Sequence, residues 1–418
     1  MNAIAGEELD QLLTALIQSA EGISDVLFVA GKPPQVEVHG VLETPSAPGC
    51  HEILTSQRIE SLAGAIINHN VKLLRDLADH GSCDCSYGLG NLCRFRANIY
   101  RQHGGFAMVL RKLPSEVPTM EALGLAAAFR DILHEKTGLV FVTGGSGHGK
   151  TTTLAAMLHE INRLHKVHIV SLEDPIEFVH PSIQSTFSQR ELGRDFFSFP
   201  DGLRAALRQA PKVILVGEIR DRETMEIALT AGETGHLVFS TLHTISADQT
   251  IHRILGLFRQ DEEQQVRERL AGSLRYIIGQ RLVPRKHGGR YLVTELLGSS
   301  LRSREAILLG ENESRRLHDI IEAGANSGWH SFEQSLLRAF EAEVITEETA
   351  MCHSVNKPVM RQRLDFSRAR RHRMGTATPT PSMVVVPAAP VAPTIPEAPI
   401  IKPEPQPGLL KGFLNGLV

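Results

Sequence analysis

The stretch "VTGGSGHGKTTTLA", Val142 to Ala155, holds four glycines, one lysine and a run of threonines. Gly144, Gly149, Lys150 and Thr151 satisfy G-x-x-x-x-G-K-[ST] without a mismatch. Glycines let such a backbone curl so that its N–H groups face a phosphate chain. Lys150 then reaches the β- and γ-phosphates, and Thr151 turns its hydroxyl to Mg2+. A helix starting near Thr151 adds the positive end of its dipole. The candidate nucleotide loop comprises Gly144, Gly145, Ser146, Gly147, His148, Gly149, Lys150, Thr151 and Thr152. Its context agrees: a buried run, "LVFV", precedes it, and the helical pattern "TTTLAAMLHEINRL" follows.

Three more apolar runs follow "GLVFVTG": "VHIVSLEDP", "KVILVGE" and "HLVFSTLH". Continuous β-branched runs, each followed by helical sequence, describe a parallel sheet covered on both faces. In an open α/β sheet, ligands bind beyond the carboxyl ends of the strands. Lys150, Glu173, Glu218 and His243 all fall at or just past such ends. Glu177 follows Glu173 within "SLEDPIEF", and Glu218 closes a strand as the acid of a Walker-B element does. His236 and His243 bracket the fourth run. Glu218 is read as holding Mg2+ through water or polarising the attacking water, with Glu173 or Glu177 taking the other role. His243 is read as a sensor of the γ-phosphate.

Residues 1–112 read as a small α+β unit. "GEELDQLLTALIQSAEG" places Leu9, Leu12, Leu13, Leu16 and Ile17 on one helical stripe. Strand, turn and strand follow, with Gly31-Lys32-Pro33-Pro34 as the turn. An alternating pattern then runs from Cys83 to Leu113. Residues 113–120 read as a linker, residues 121–365 as the nucleotide-binding unit, with 259–350 mainly helical. Residues 366–418 read as a basic and Pro-rich disordered tail, since residues 376–407 hold 10 of the chain's 22 prolines. The tail ends in the short apolar run "GLLKGFLNGLV".

The 418 residues carry a net charge of -3, which argues against a surface built wholly for nucleic acid. Five cysteines without a signal peptide point to a reducing, cytosolic compartment. Cys83-x-Cys85 with Cys93 lies in an alternating strand, where cysteine packs as a small apolar residue. No apolar run of 18 residues occurs, so membrane contact is expected through partners or peripherally.

Four motifs together resemble the secretion and type IV pilus motor ATPases, most closely their retraction, or twitching-motility, branch. They are "GGSGHGKTTTLA", "LEDPIEFVH", "LRAALRQAPKVILVGEIRDRET" and "ALTAGETGHLVFSTLHT". "SDVLFVAGKPP" and "CRFRANIYRQHGG" resemble that family's first domain, so the likeness covers about residues 5–355. The resemblance implies a PAS-like N-terminal domain followed by a RecA-like P-loop ATPase domain with a mostly parallel sheet. It implies a homohexamer that hydrolyses ATP with Mg2+ and extracts pilin through an inner-membrane pilus platform protein, with a second motor ATPase as a further partner. It also implies that Arg96 and Arg111 close on the nucleotide phosphates from an N-terminal domain. The chain departs from the family at His148, at Ala210 and Lys212, and at "SREAILLGENESRRLHDII". That last departure allows an accessory motor; an assembly or secretion ATPase and a nucleotide-dependent scaffold are the further alternatives.

Overall fold

A computed structural model describes residues 2–47 and 49–375. The chain divides into a unit Met1–Arg368 and a unit Ala369–Val418. The Pro-rich stretch and its apolar end lie outside the described residues.

The N-terminal part is PAS-like. Helix α1 (Asn2–Gln18) buries Leu9, Leu12, Leu13 and Leu16, the predicted stripe, with Ile17 half-buried at its margin. Strands β1 (Ile23–Phe28), β2 (Gln35–Val38) and β3 (Val41–Glu43) lead to α2 (Ser56–Ile67) and α3 (Val71–Asp79). The side chains of Thr55 and Asn70 cap these two helices by accepting backbone N–H groups of their first turns. Strands β4 (Ser82–Leu89), β5 (Cys93–Gln102) and β6 (Gly105–Leu113) complete an antiparallel sheet of order β3-β2-β1-β6-β5-β4. The helices share one core with this sheet, and Cys83 and Cys93 are buried in it as free thiols.

The RecA-like part begins with α4 (Ala128–Ile132), β7 (Gly138–Thr143), α5 (Lys150–Leu164), β8 (His168–Glu173) and β9 (Thr186–Glu191). It continues through α6 (Phe199–Ala206), β10 (Val213–Val216), α7 (Arg222–Glu233), β11 (Leu237–Leu242), α8 (Ala247–Leu255) and α9 (Glu263–Ser273). The sheet closes with β12 (Leu274–Pro284) and β13 (Arg290–Gly298), in the order β13-β12-β7-β11-β10-β8-β9. All neighbours are parallel except β12 and β13. Strand β7 is buried on both faces, as its apolar run requires. Val140 and Val142 pack with Leu154, Met157 and Leu158 of α5. Leu139 and Phe141 pack on the other face with Met225 and Leu229 of α7.

The structure corrects the expectation that residues 259–350 are mainly helical. Strands β12 and β13 occupy 274–298, joined at a turn where Gly288 and Gly289 adopt positive φ. "LRYIIGQRLVP" follows α9 without a break, so its apolar content reads as more helix. Its β-branched and aromatic residues and the His287-Gly288-Gly289 turn carried the strand signal. Helices α10 (Leu301–Leu309), α11 (Leu317–Ala323), α12 (Phe332–Glu341) and α13 (Glu347–His353) follow. The basic stretch expected to open the tail belongs to a helix, α14 (Lys357–Gly375).

Trp329, the chain's one tryptophan, wedges between Gly298 at the end of β13 and Gly324 after α11. A Cβ on either glycine would press into the indole more closely than side chains tolerate. Gly298→Ala is therefore expected to cost about 1–3 kcal/mol through overpacking. The readout is a lowered midpoint in thermal unfolding; an unchanged midpoint would mean that the indole has room to move.

Candidate nucleotide site

The parallel register sets the carboxyl ends of β7, β11, β10 and β8 side by side on one edge. Neighbours are about 4.8 Å apart. These ends carry, in turn, the glycine loop, His243, Glu218 and Glu173.

The loop is shaped for close backbone approach. Gly144 has φ 147, and a Cβ there would stand 2.6 Å from the Gln280 carbonyl oxygen of β12. Gly147 and Gly149 also adopt positive φ, and α5 starts at the next residue, Lys150. Lys150 is buried, and its ammonium donates to the carbonyls of Gly144 at 2.9 Å and Gly145 at 3.0 Å. Burial holds its pKa down, while the carboxylates of Glu218 and Glu177 oppose that shift. A buried ammonium bonded only to carbonyls gains from an arriving polyphosphate. Thr143 Oγ1 at the foot of the loop is buried with no hydrogen-bond partner among the described residues. These features fit a nucleotide phosphate chain.

Glu218 follows β10. Its backbone neighbour Gly217 donates to the Leu172 carbonyl at 2.8 Å and accepts from Thr241 Oγ1 at 2.7 Å, which fixes the turn. Its Oε2 lies 2.7 Å from Arg220 Nε and 3.6 Å from His243 Nε2. Burial, then the Lys150 charge, lower the His243 pKa and favour the neutral imidazole. Thr151 and Glu218 offer oxygen donors suited to Mg2+. Among the described residues no group of three or more His, Cys, Asp or Glu could hold a metal alone.

Two expected site residues do not join Lys150, Glu218 and His243. Glu173 is buried and turned into the protein, accepting from Ser171 Oγ at 2.6 Å and Gln189 Nε2 at 3.1 Å. Burial pushes its pKa up to about 6. It props the loop from behind, and the half-buried Glu177 is the carboxylate of this loop that shares the field of Lys150. His236 lies before β11, at the opposite edge of the sheet, where Nδ1 is 3.1 Å from the Ala231 carbonyl. A six-residue strand, about 20 Å long, separates it from the loop. His148 folds its ring over Gly145, and its Nδ1 has no partner among the described residues.

Arg96 and Arg111 face each other across β5 and β6. Arg111 Nε pairs with Asp25 at 2.9 Å, and Arg96 Nε lies 3.8 Å from Asp84. Neither shows a contact with the glycine loop among the described residues.

Sequence reading missed the contribution of β12 and β13. Gln280 supplies the carbonyl against Gly144 and donates from Nε2 to Thr153 at 3.0 Å. Arg281 donates to the Ile245 carbonyl at 3.2 Å. Glu295 accepts the Ala247 N–H at 2.9 Å and is pushed by burial to a pKa of about 7. Arg281 and Glu295 together hold the segment that leads from His243 into α8. Recognising "LRYIIGQRLVP" as a strand would have set it beside the loop.

The family model for Type II/IV secretion system proteins matches residues 79–363. The "Type IV pilus retractation ATPase PilT" of Pseudomonas aeruginosa is 39% identical over 330 residues, covering 79% of this chain and 94% of that one. A "Twitching motility protein" of Neisseria gonorrhoeae is 37% identical over 361 residues, covering 86% and 93%. The crystal structure of the pilus retraction motor PilT with bound ADP superimposes with a TM-score of 0.75 at 38% identity, over 85% of this chain and 98% of that one. The chain belongs to the Type II/IV secretion system protein family and is a PilT-like secretion ATPase.

Proposed function

We propose that this chain is the ATP-hydrolysing motor of type IV pilus retraction, working as a homohexamer that draws pilin out through an inner-membrane platform protein. The observation that carries the reading is the single sheet edge holding Lys150, Glu218 and His243 beside the glycine loop. The likeness to a retraction ATPase over 94% of that protein's length supports the direction of force. No helix among the described residues is long and apolar enough to cross a membrane.

In this proposal residues 144–152 cradle the phosphates, with Lys150 on the β- and γ-oxygens. Thr151 and Glu218 would hold Mg2+, which would supply charge to the phosphate oxygens. Glu218 and Glu177 share the tasks of orienting and deprotonating the attacking water. Neutral His243, close to Glu218, senses the γ-phosphate and passes its state to the segment before α8. Arg96 and Arg111 reach the phosphates of a neighbouring subunit, exchanging Asp84 and Asp25 for the nucleotide. Their planar forks suit charge spread over equatorial oxygens. Positioning and charge stabilisation carry the rate, because phosphoryl transfer asks little covalent chemistry of the protein.

Steady-state phosphate release by the purified chain tests this reading. Mg2+-dependent hydrolysis that DNA leaves unchanged is expected. Absence of hydrolysis would make the protein a nucleotide-dependent scaffold, and stimulation by DNA would make it a translocase.

A further inference from the structure

Glu191, the last residue of β9, is not among the expected site residues, yet it joins the two sheets. Its carboxylate is buried, in a register pair with Glu173. Oε1 accepts from Ser86 Oγ of β4 at 2.6 Å. Oε2 accepts the Ile176 N–H at 3.2 Å and lies 3.5 Å from Arg94 Nη2 of β5. Arg94 also donates from Nη1 to the Ile176 carbonyl at 3.0 Å. Both backbone polar groups of Ile176 are thus held by one ion pair. Ile176 directly precedes Glu177.

The attachment continues beside it. Asn70 Nδ2 donates to the Gly193 carbonyl at 3.2 Å, and the Lys72 stem packs at Gly193. A buried carboxylate that loses one partner keeps its desolvation cost, so this contact resists partial opening. Any shift of β4 and β5 against the RecA-like sheet must carry Ile176 along or break the pair. Arg96 lies two residues beyond Arg94 on the same strand and face.

We propose that Glu191 is a positioning residue that transmits the placement of the N-terminal sheet to Glu177. It does so through Ser86 and Arg94 on one side and the Ile176 backbone on the other. The inference rests on the reading of Glu177 given above. It adds a path within one subunit: the strand that carries Arg96 toward a neighbour also sets the chain's own acidic loop.

The test compares kcat, KM for ATP and affinity for a non-hydrolysable ATP analogue in the full chain and in Glu191→Gln, Ser86→Ala and their double variant. Ser86→Ala removes one hydroxyl from the N-terminal sheet and serves if Glu191→Gln folds poorly. We expect each single variant to lose at least fivefold in kcat, with KM and analogue affinity within threefold of the parent. We expect the double variant to lose no more than the worse single one, because both cut the same link. Restoring an acid with Glu191→Asp should recover part of kcat. Unchanged kcat in Ser86→Ala, or multiplying losses in the double variant, would overturn the proposal. So would a fall in kcat matched by an equal loss of analogue affinity. If the parent chain hydrolyses no ATP, the reading of the site itself fails; a normal parent with unaffected variants sinks only the role of Glu191.

Discussion

Lys150→Ala sharply weakens nucleotide binding. In the parent the ammonium is buried at the start of α5, and its bonds go to the carbonyls of Gly144 and Gly145. It is the cation of the loop itself, and the carboxylates of Glu218 and Glu177 stand in its field. Alanine removes that cation and leaves two acids facing a polyanion. Hydrogen bonds to charged groups contribute about 1.5–3 kcal/mol each. Loss of two such bonds to phosphate oxygens weakens binding by about 10²–10⁴-fold. Folding is not expected to suffer, because burial already opposes the charged form of Lys150. Titration calorimetry with ATP and Mg2+ checks the first claim, and a thermal melt the second. Affinity within tenfold of the parent would show that the loop backbone alone holds the phosphates.

Glu218→Ala has the converse signature. The carboxylate sits past β10 in a turn fixed by Gly217, Leu172 and Thr241, so its loss leaves the loop intact. Binding is expected to stay within about threefold, while hydrolysis falls by about 10²–10⁴-fold, the range for loss of a positioned acid or base. Arg220 and His243 lose their shared partner in the same variant. Any conformational report by His243 should therefore disappear with turnover. Single-turnover measurements separate this from slow product release. A rate near that of the parent would hand the chemistry to Glu177.

Much of this was legible in the sequence, for local reasons. Each of the four apolar runs is a strand buried on both faces, and each ends where a chemistry-bearing residue begins. Lys150, Glu218 and His243 converge because parallel neighbours share a carboxyl edge. What was not legible depends on pairing at long range. Glu173 and Glu177 are equivalent acids in "SLEDPIEF", and Gln189, arriving on β9, joins Ser171 in holding Glu173 inward. His236 and His243 look alike at the ends of one run, yet strand direction sends them to opposite edges. Gln280 sits 136 residues after Gly144 in the chain and still forms its floor. Glu191 has no motif at all; its role comes from Ser86 and Arg94, about a hundred residues earlier in the chain.

The most direct test of a retraction motor is surface piliation in cells of the source organism carrying Glu218→Ala as their only copy of this chain. Electron microscopy would count pili, and shortening of labelled pili would be followed in living cells. Excess pili that do not shorten are expected. Cells without pili would contradict retraction and place the chain in pilus assembly.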